Sequence, residues 1–82
     1  MNVLIMTPEK KVFDGEAISV QVPGVKGKFE VLNNHAPIVS LLEKGQVRII
    51  TNEDKVLKFD IEQGFIEVLQ NEVSILTQTA EA

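Results

Sequence analysis

The chain contains no cysteine, no tryptophan and no tyrosine, only one histidine and three prolines, and its longest apolar run is the four residues Val3 to Met6. Each absence excludes something. Without cysteine, neither a disulfide nor a thiolate metal site staples the interior, so packing alone must hold the fold and a reducing compartment is permitted. Without tryptophan or tyrosine, the stacking surface of a typical sugar-binding β-sandwich is missing, and all four phenylalanines are available for the core. No run approaches the roughly 20 apolar residues that span a bilayer. The N-terminus carries neither a basic leader nor an apolar segment of signal-peptide length, which predicts a soluble cytoplasmic protein. A net charge of −4 with both signs interspersed lacks the basic stripe that a nucleic-acid surface needs.

The 82 residues make one domain. A chain this short buries about 60% of its unfolded surface, and its stability should lie near roughly 4 to 12 kcal/mol.

What is present is alternation. Val3 to Met6 is a β-prone run stopped by Thr7-Pro8, because proline cannot donate to a ladder. Asp14-Gly15 has the composition of a hairpin turn. Ala17 to Val22 then alternates, with Ile18, Val20 and Val22 assigned to one face and Ser19 and Gln21 to the other. From Gly24 to Pro37 the chain reads as loop, short strand, loop. Two glycines three apart permit a sharp turn, and Asn33-Asn34 supplies another before Ala36-Pro37. Ile38 to Leu42, Val47 with Ile49, the regular inward set Leu57, Phe59 and Ile61, and the segments Phe65 to Leu69 and Val73 to Thr77 complete the strands. Asn52 to Lys55 and Gln70 to Glu72 form tight polar turns between them.

Nowhere do apolar residues recur at three and four over the length a helix needs. The expected fold is all-β: a flattened β-sandwich or barrel of about nine to ten short, mostly antiparallel strands. Ile50, Leu69 and Leu76 fall out of phase with the inward sets, so they either form a partner-facing patch or are buried at an edge by sheet twist.

Candidate chemistry is sparse. His35 is the one side chain suited to general base work near neutral pH, but no serine or cysteine nucleophile and no second ligand accompany it. A hydrogen bond to its own loop, or contact with a partner, is the simpler role. The carboxylates occupy turns and outward strand positions, where solubilising charge accounts for them. Gly24 and Gly27 lack the lysine and following helix of a phosphate-binding loop. No catalytic residue, cofactor or metal is expected.

Several segments together carry a family resemblance: Phe13-Asp14-Gly15, Val20 to Gly24, His35-Ala36-Pro37 followed by Leu42 and Gly45, Gly64 to Val68, and Asn71 to Leu76 closing at Thr79-Ala80. In this order and spacing the chain resembles the N-terminal β-sandwich domain of the bacterial F-type ATP synthase epsilon subunit. The resemblance implies a non-catalytic central-stalk subunit. It would link the gamma subunit to the polar loops of the membrane c-ring and couple rotation to ATP synthesis, peripherally, at the cytoplasmic face of the bacterial plasma membrane. It assigns Met6, Thr7 and Ser40 to the gamma-facing surface, and Lys28, Asn33, Asn34 and His35 to the ring-facing loops. The same surface offers an isolated domain a route to self-association. The sequence departs from the family pattern at Glu30, where glycine is usual, at Asn33-Asn34, where Pro-Gly is usual, and at Lys28, where an acidic residue is common. Family members commonly continue past Thr-Ala into a helical hairpin that inhibits ATP hydrolysis. A chain ending at Ala82 is expected to be a short form without that brake. A free-standing ligand-binding sandwich is the alternative function, and a small hydrolase built on His35 the weakest.

Overall fold

A single 14-residue strand, Lys11–Gly24, connects the two halves of the molecule. The computed structural model describes residues 1–82, and its nine strands are β1 (Asn2–Met6), β2 (Lys11–Gly24), β3 (Gly27–Leu32), β4 (Ile38–Leu42), β5 (Gly45–Thr51), β6 (Val56–Ile61), β7 (Gly64–Leu69), β8 (Glu72–Thr77) and β9 (Ala80–Glu81). The first half of β2 pairs with β1, which continues through β8 and β7 to β4. Its second half lies between β3 and β5, followed by β6 and β9. Because β2 belongs to both layers, the ladder is continuous, and a bridge between Gly24 and Leu42 ties the layers at the far corner. All pairings are antiparallel except β1 with β8. The result is the flattened all-β sandwich that the alternation predicts, 26 × 24 × 19 Å.

The core lies between the layers. Val3 and Ile5 of β1, Ile66 and Val68 of β7, and Val73 and Ile75 of β8 meet Val20 and Val22 of β2 and Val47 and Ile49 of β5, all buried. Phe59 is buried as expected and stacks obliquely on half-buried Phe13, with ring centroids 5.9 Å apart. Every buried side-chain nitrogen or oxygen has a hydrogen-bond partner. Thr77, for example, shares its hydroxyl proton between the carbonyls of Gln63 at 2.6 Å and Thr79 at 3.0 Å.

Local turn chemistry behaves as its composition suggests. Gln70 and Asn71 both take positive φ (50° and 62°) between paired Leu69 and Glu72, the geometry of a two-residue hairpin whose twist matches its strands. Gly27 closes the Val25-Lys26 turn at φ 127°, a conformation that a residue with a Cβ rarely adopts.

Three expectations are corrected. Asp14-Gly15 is no turn: both residues lie inside β2, opposite Leu4 and Val3 of β1, because ladder pairing along the whole of β1 outweighs local turn propensity. Ile18 does not face inward. The register of β2 against β5 shifts between Ala17 and Ser19, and this bulge turns Ile18 outward while Ala17 takes the buried place. Phe65 is not in the core. It stands 40% exposed on the outer face of β7, since Ile66 and Val68 take the inward phase.

Candidate functional site: an apolar face with polar turns at either end

Directly paired residues in a ladder project to the same side, so register alone defines the outer face of the β1-β8-β7-β4 layer. Leu41 of β4 lies opposite Phe65 of β7, Phe65 opposite Leu76 of β8, and Leu76 opposite Met6 of β1. Four apolar side chains thus stand in one row across four strands, a stripe about 14 Å long at the usual strand spacing. A second row, Val39, Glu67, Ser74 and Leu4, runs beside it. Val39 and Leu41 are 70% and 67% exposed, more than any other large apolar residue in the chain. A contiguous apolar surface on a small monomeric domain is characteristic of a covered interface.

Alongside the first row the surface dips into a cavity of about 640 Å3, whose walls include all four of its members, Met6, Leu41, Phe65 and Leu76, together with Thr7 and Val25. Its lining has no titratable side chain, so it is suited to receive apolar groups and not to move protons.

The structure divides the residues singled out in the sequence. Met6 closes the apolar row, and Thr7 lies at the rim of the cavity, its hydroxyl engaged with the backbone of Lys10. Ser40 does not join them. It is paired with buried Ile66 and so points to the inner side of β4, while its neighbours Val39 and Leu41 point out.

The polar loop residues are also separated. Lys28 sits at the start of β3 opposite Pro23, whereas Asn33, Asn34 and His35 follow its other end, about 16 Å away at the rise of an extended strand. The three loop residues are well tied down. Asn33 Oδ1 accepts from the Met1 amino group at 2.7 Å. The Asn34 amide donates to Asn71 Oδ1 at 2.6 Å, and the Asn71 side-chain amide donates back to Asn34 Oδ1 at 3.1 Å. This clamp joins the β3–β4 loop to the β7–β8 turn, and Asn34 and Asn71 both tolerate the positive φ that it requires (65° and 62°). Asn71 is therefore an uncounted member of that polar end, brought there by pairing 37 residues apart. His35 Nδ1 lies 2.7 Å from the Ala36 carbonyl, which can only accept, so Nδ1 carries the proton. As the sequence suggests, the ring is used by its own loop. No group of three or more His, Cys, Asp or Glu side chains converges anywhere in a way that could hold a metal ion.

Of the out-of-phase residues, Leu69 and Leu76 lie exposed on the same outer face as Phe65, whereas half-buried Ile50 belongs to the other layer beside Ser19 and Val56. Val39, Leu41, Phe65 and Glu67 escaped sequence reasoning. The available signal was the near-uniform apolarity of Ile38 to Leu42, which leaves no polar face for water.

Comparison with known proteins identifies the family and the fold. The family model described as "ATP synthase, Delta/Epsilon chain, beta-sandwich domain" matches residues 1–82. The ATP synthase epsilon chain of Protochlamydia amoebophila is 44% identical over 95% of this chain and 53% of its own length. That of Leptospira borgpetersenii is 47% identical over 94% and 60%, and that of Chlorobium limicola 40% identical over 90% and 84%. The chain thus spans between about half and four-fifths of the length of these relatives. Among solved structures, a chain of the Euglena gracilis mitochondrial ATP synthase (OSCP/F1/c-ring) superimposes with a TM-score of 0.91 at 21% identity over 96% of this chain and 51% of its own. One from the central stalk and c-ring of the Tetrahymena thermophila enzyme gives 0.83 at 19% identity over 99% and 65%. These two likenesses establish the fold. With its whole length matched and relatives above 40% identity, the chain belongs to the family of ATP synthase delta/epsilon chain β-sandwich domains.

Proposed function

We propose that the chain is a non-catalytic rotor component of an F-type ATP synthase, held to the gamma subunit by its apolar face and seated on the c-ring by its polar turns. The observation that carries this reading is the row Leu41-Phe65-Leu76-Met6, an apolar stripe that no strand within residues 1–82 covers. A rigid sheet loses little conformational entropy when another subunit covers it, which suits a part that transmits torque. Met6 and Thr7 belong to this gamma-facing side, whereas Ser40 points to the inner side of β4, away from it. In a bacterium the complex would place the domain at the cytoplasmic face of the plasma membrane.

Capture on immobilised gamma from the same organism tests the reading. Phe65→Asp is expected to weaken binding about 30-fold, the scale of an interfacial hot spot, with the circular dichroism of the domain unchanged. Equal binding by this variant would overturn it.

The two polar ends are the candidate ring seats, Lys28 at one and Asn33, Asn34 and His35 at the other. Lys28→Glu reverses an exposed charge at a position where family members commonly carry an acid. It is expected to reduce retention on the cognate c-ring with gamma binding intact. Unchanged retention would remove Lys28 from that contact and leave the Asn33–His35 end as the seat.

A further inference from the structure

The apolar face contains one charge without a partner. Glu67 is exposed at the middle of β7 between outward Phe65 and Leu69, and its cross-strand neighbours are Val39 and Ser74. It walls an open hollow of about 240 Å3 whose other walls are Pro37, Ile38, Val39, Val68 and Leu69. The ion pairs of the chain, Met1 with Glu16 and Lys11 with Asp14, lie elsewhere, and no basic side chain of the domain reaches Glu67. Glu72, the other acid on this face, already accepts a hydrogen bond from Asn2 Nδ2 at 3.3 Å.

We propose that Glu67 is the specificity-determining contact of this face, and that the covering subunit places an arginine or lysine side chain into the hollow against it. The inference rests on the reading that gamma covers the apolar row. Covering the row strips water from Glu67, and a carboxylate desolvated without a counter-charge opposes binding. A partner that supplies a cation converts the same group into a charge-assisted hydrogen bond. The carboxylate thereby rejects apolar surfaces that would otherwise fit the stripe. It also opposes self-pairing, since a two-fold contact centred here would bring two Glu67 carboxylates together on chains that each carry a net charge of −4.

Isothermal titration of the 82-residue chain into purified gamma, at two ionic strengths, tests this. Glu67→Gln keeps the shape of the side chain and is expected to bind about tenfold more weakly, with a smaller loss of affinity on adding salt than the wild type shows. Glu67→Lys should bind more weakly still, and thermal unfolding should be the same for all three proteins because the side chain is exposed. Equal or tighter binding by Glu67→Gln, with Phe65→Asp still impaired, would overturn the role of Glu67 and leave the gamma reading standing. Wild-type affinity in Phe65→Asp would overturn both. A wild-type dimer in sedimentation velocity that Phe65→Asp dissociates would assign the face to a second copy and overturn the proposal.

Discussion

Ile5→Ala is expected to cost about 4 kcal/mol of folding stability, enough to leave the domain marginal at room temperature. Ile5 is fully buried on β1, opposite Phe13 of β2 on one side and Ile75 of β8 on the other. β1 is where the first half of β2 joins the rest of its layer, so the cavity opens where both neighbouring strands must stay in place. Ile75 is itself fully buried, in a core made mostly of valine and isoleucine, which limits collapse into the void and puts the loss in the upper part of the range for such truncations. Urea unfolding followed by far-UV circular dichroism measures it. Ile5→Val, which removes a single methyl group, should cost about 1 kcal/mol on the same scale. Similar midpoints for the two variants would show that the core at β1 is looser than its burial indicates.

The second large loss is expected at Gly64, for a reason unrelated to backbone freedom. Gly64 pairs with both Leu42 of β4 and Thr77 of β8. A Cβ added there would collide with the Leu76 carbonyl oxygen and lie 3.0 Å from the Thr77 Cα, both backbone atoms. Backbone in the middle of a layer cannot swing aside as a side-chain tip can, so β7 and β8 must separate. Gly64→Ala should therefore cost about 3 kcal/mol, near the upper end for overpacking. The same separation would displace Phe65 and Leu76, the centre of the apolar row, and so weaken gamma binding as well. Phe65→Asp differs in losing affinity alone. A Gly64→Ala variant with wild-type stability would mean that the ladder yields at this point without penalty.

The sequence determined the features that depend on near neighbours. Alternation in Leu57, Phe59 and Ile61 placed these residues on the inner side, and Asn71 and Gly27 set their turns through their own tolerance of positive φ. The all-β class and the number of strands followed. The segments that match the epsilon-subunit family also lay open in the sequence, since order and spacing are linear properties.

The tertiary structure decided everything that depends on which strand lies beside which. Asp14-Gly15 was drawn into β2 by β1, and Ile18 was turned outward by a one-residue bulge. In Ile38 to Leu42 four of five residues are apolar, so periodicity favours neither face, and only pairing with β7 put Val39 and Leu41 outside and Ser40 inside. Glu67 is an ordinary outward acid in the linear sequence, and its apolar surroundings come from β4 and β8, which the chain supplies from distant segments. The physical reason is that a strand exposes two faces of equal backbone geometry, and the energy that distinguishes them comes from the neighbouring strands and layers.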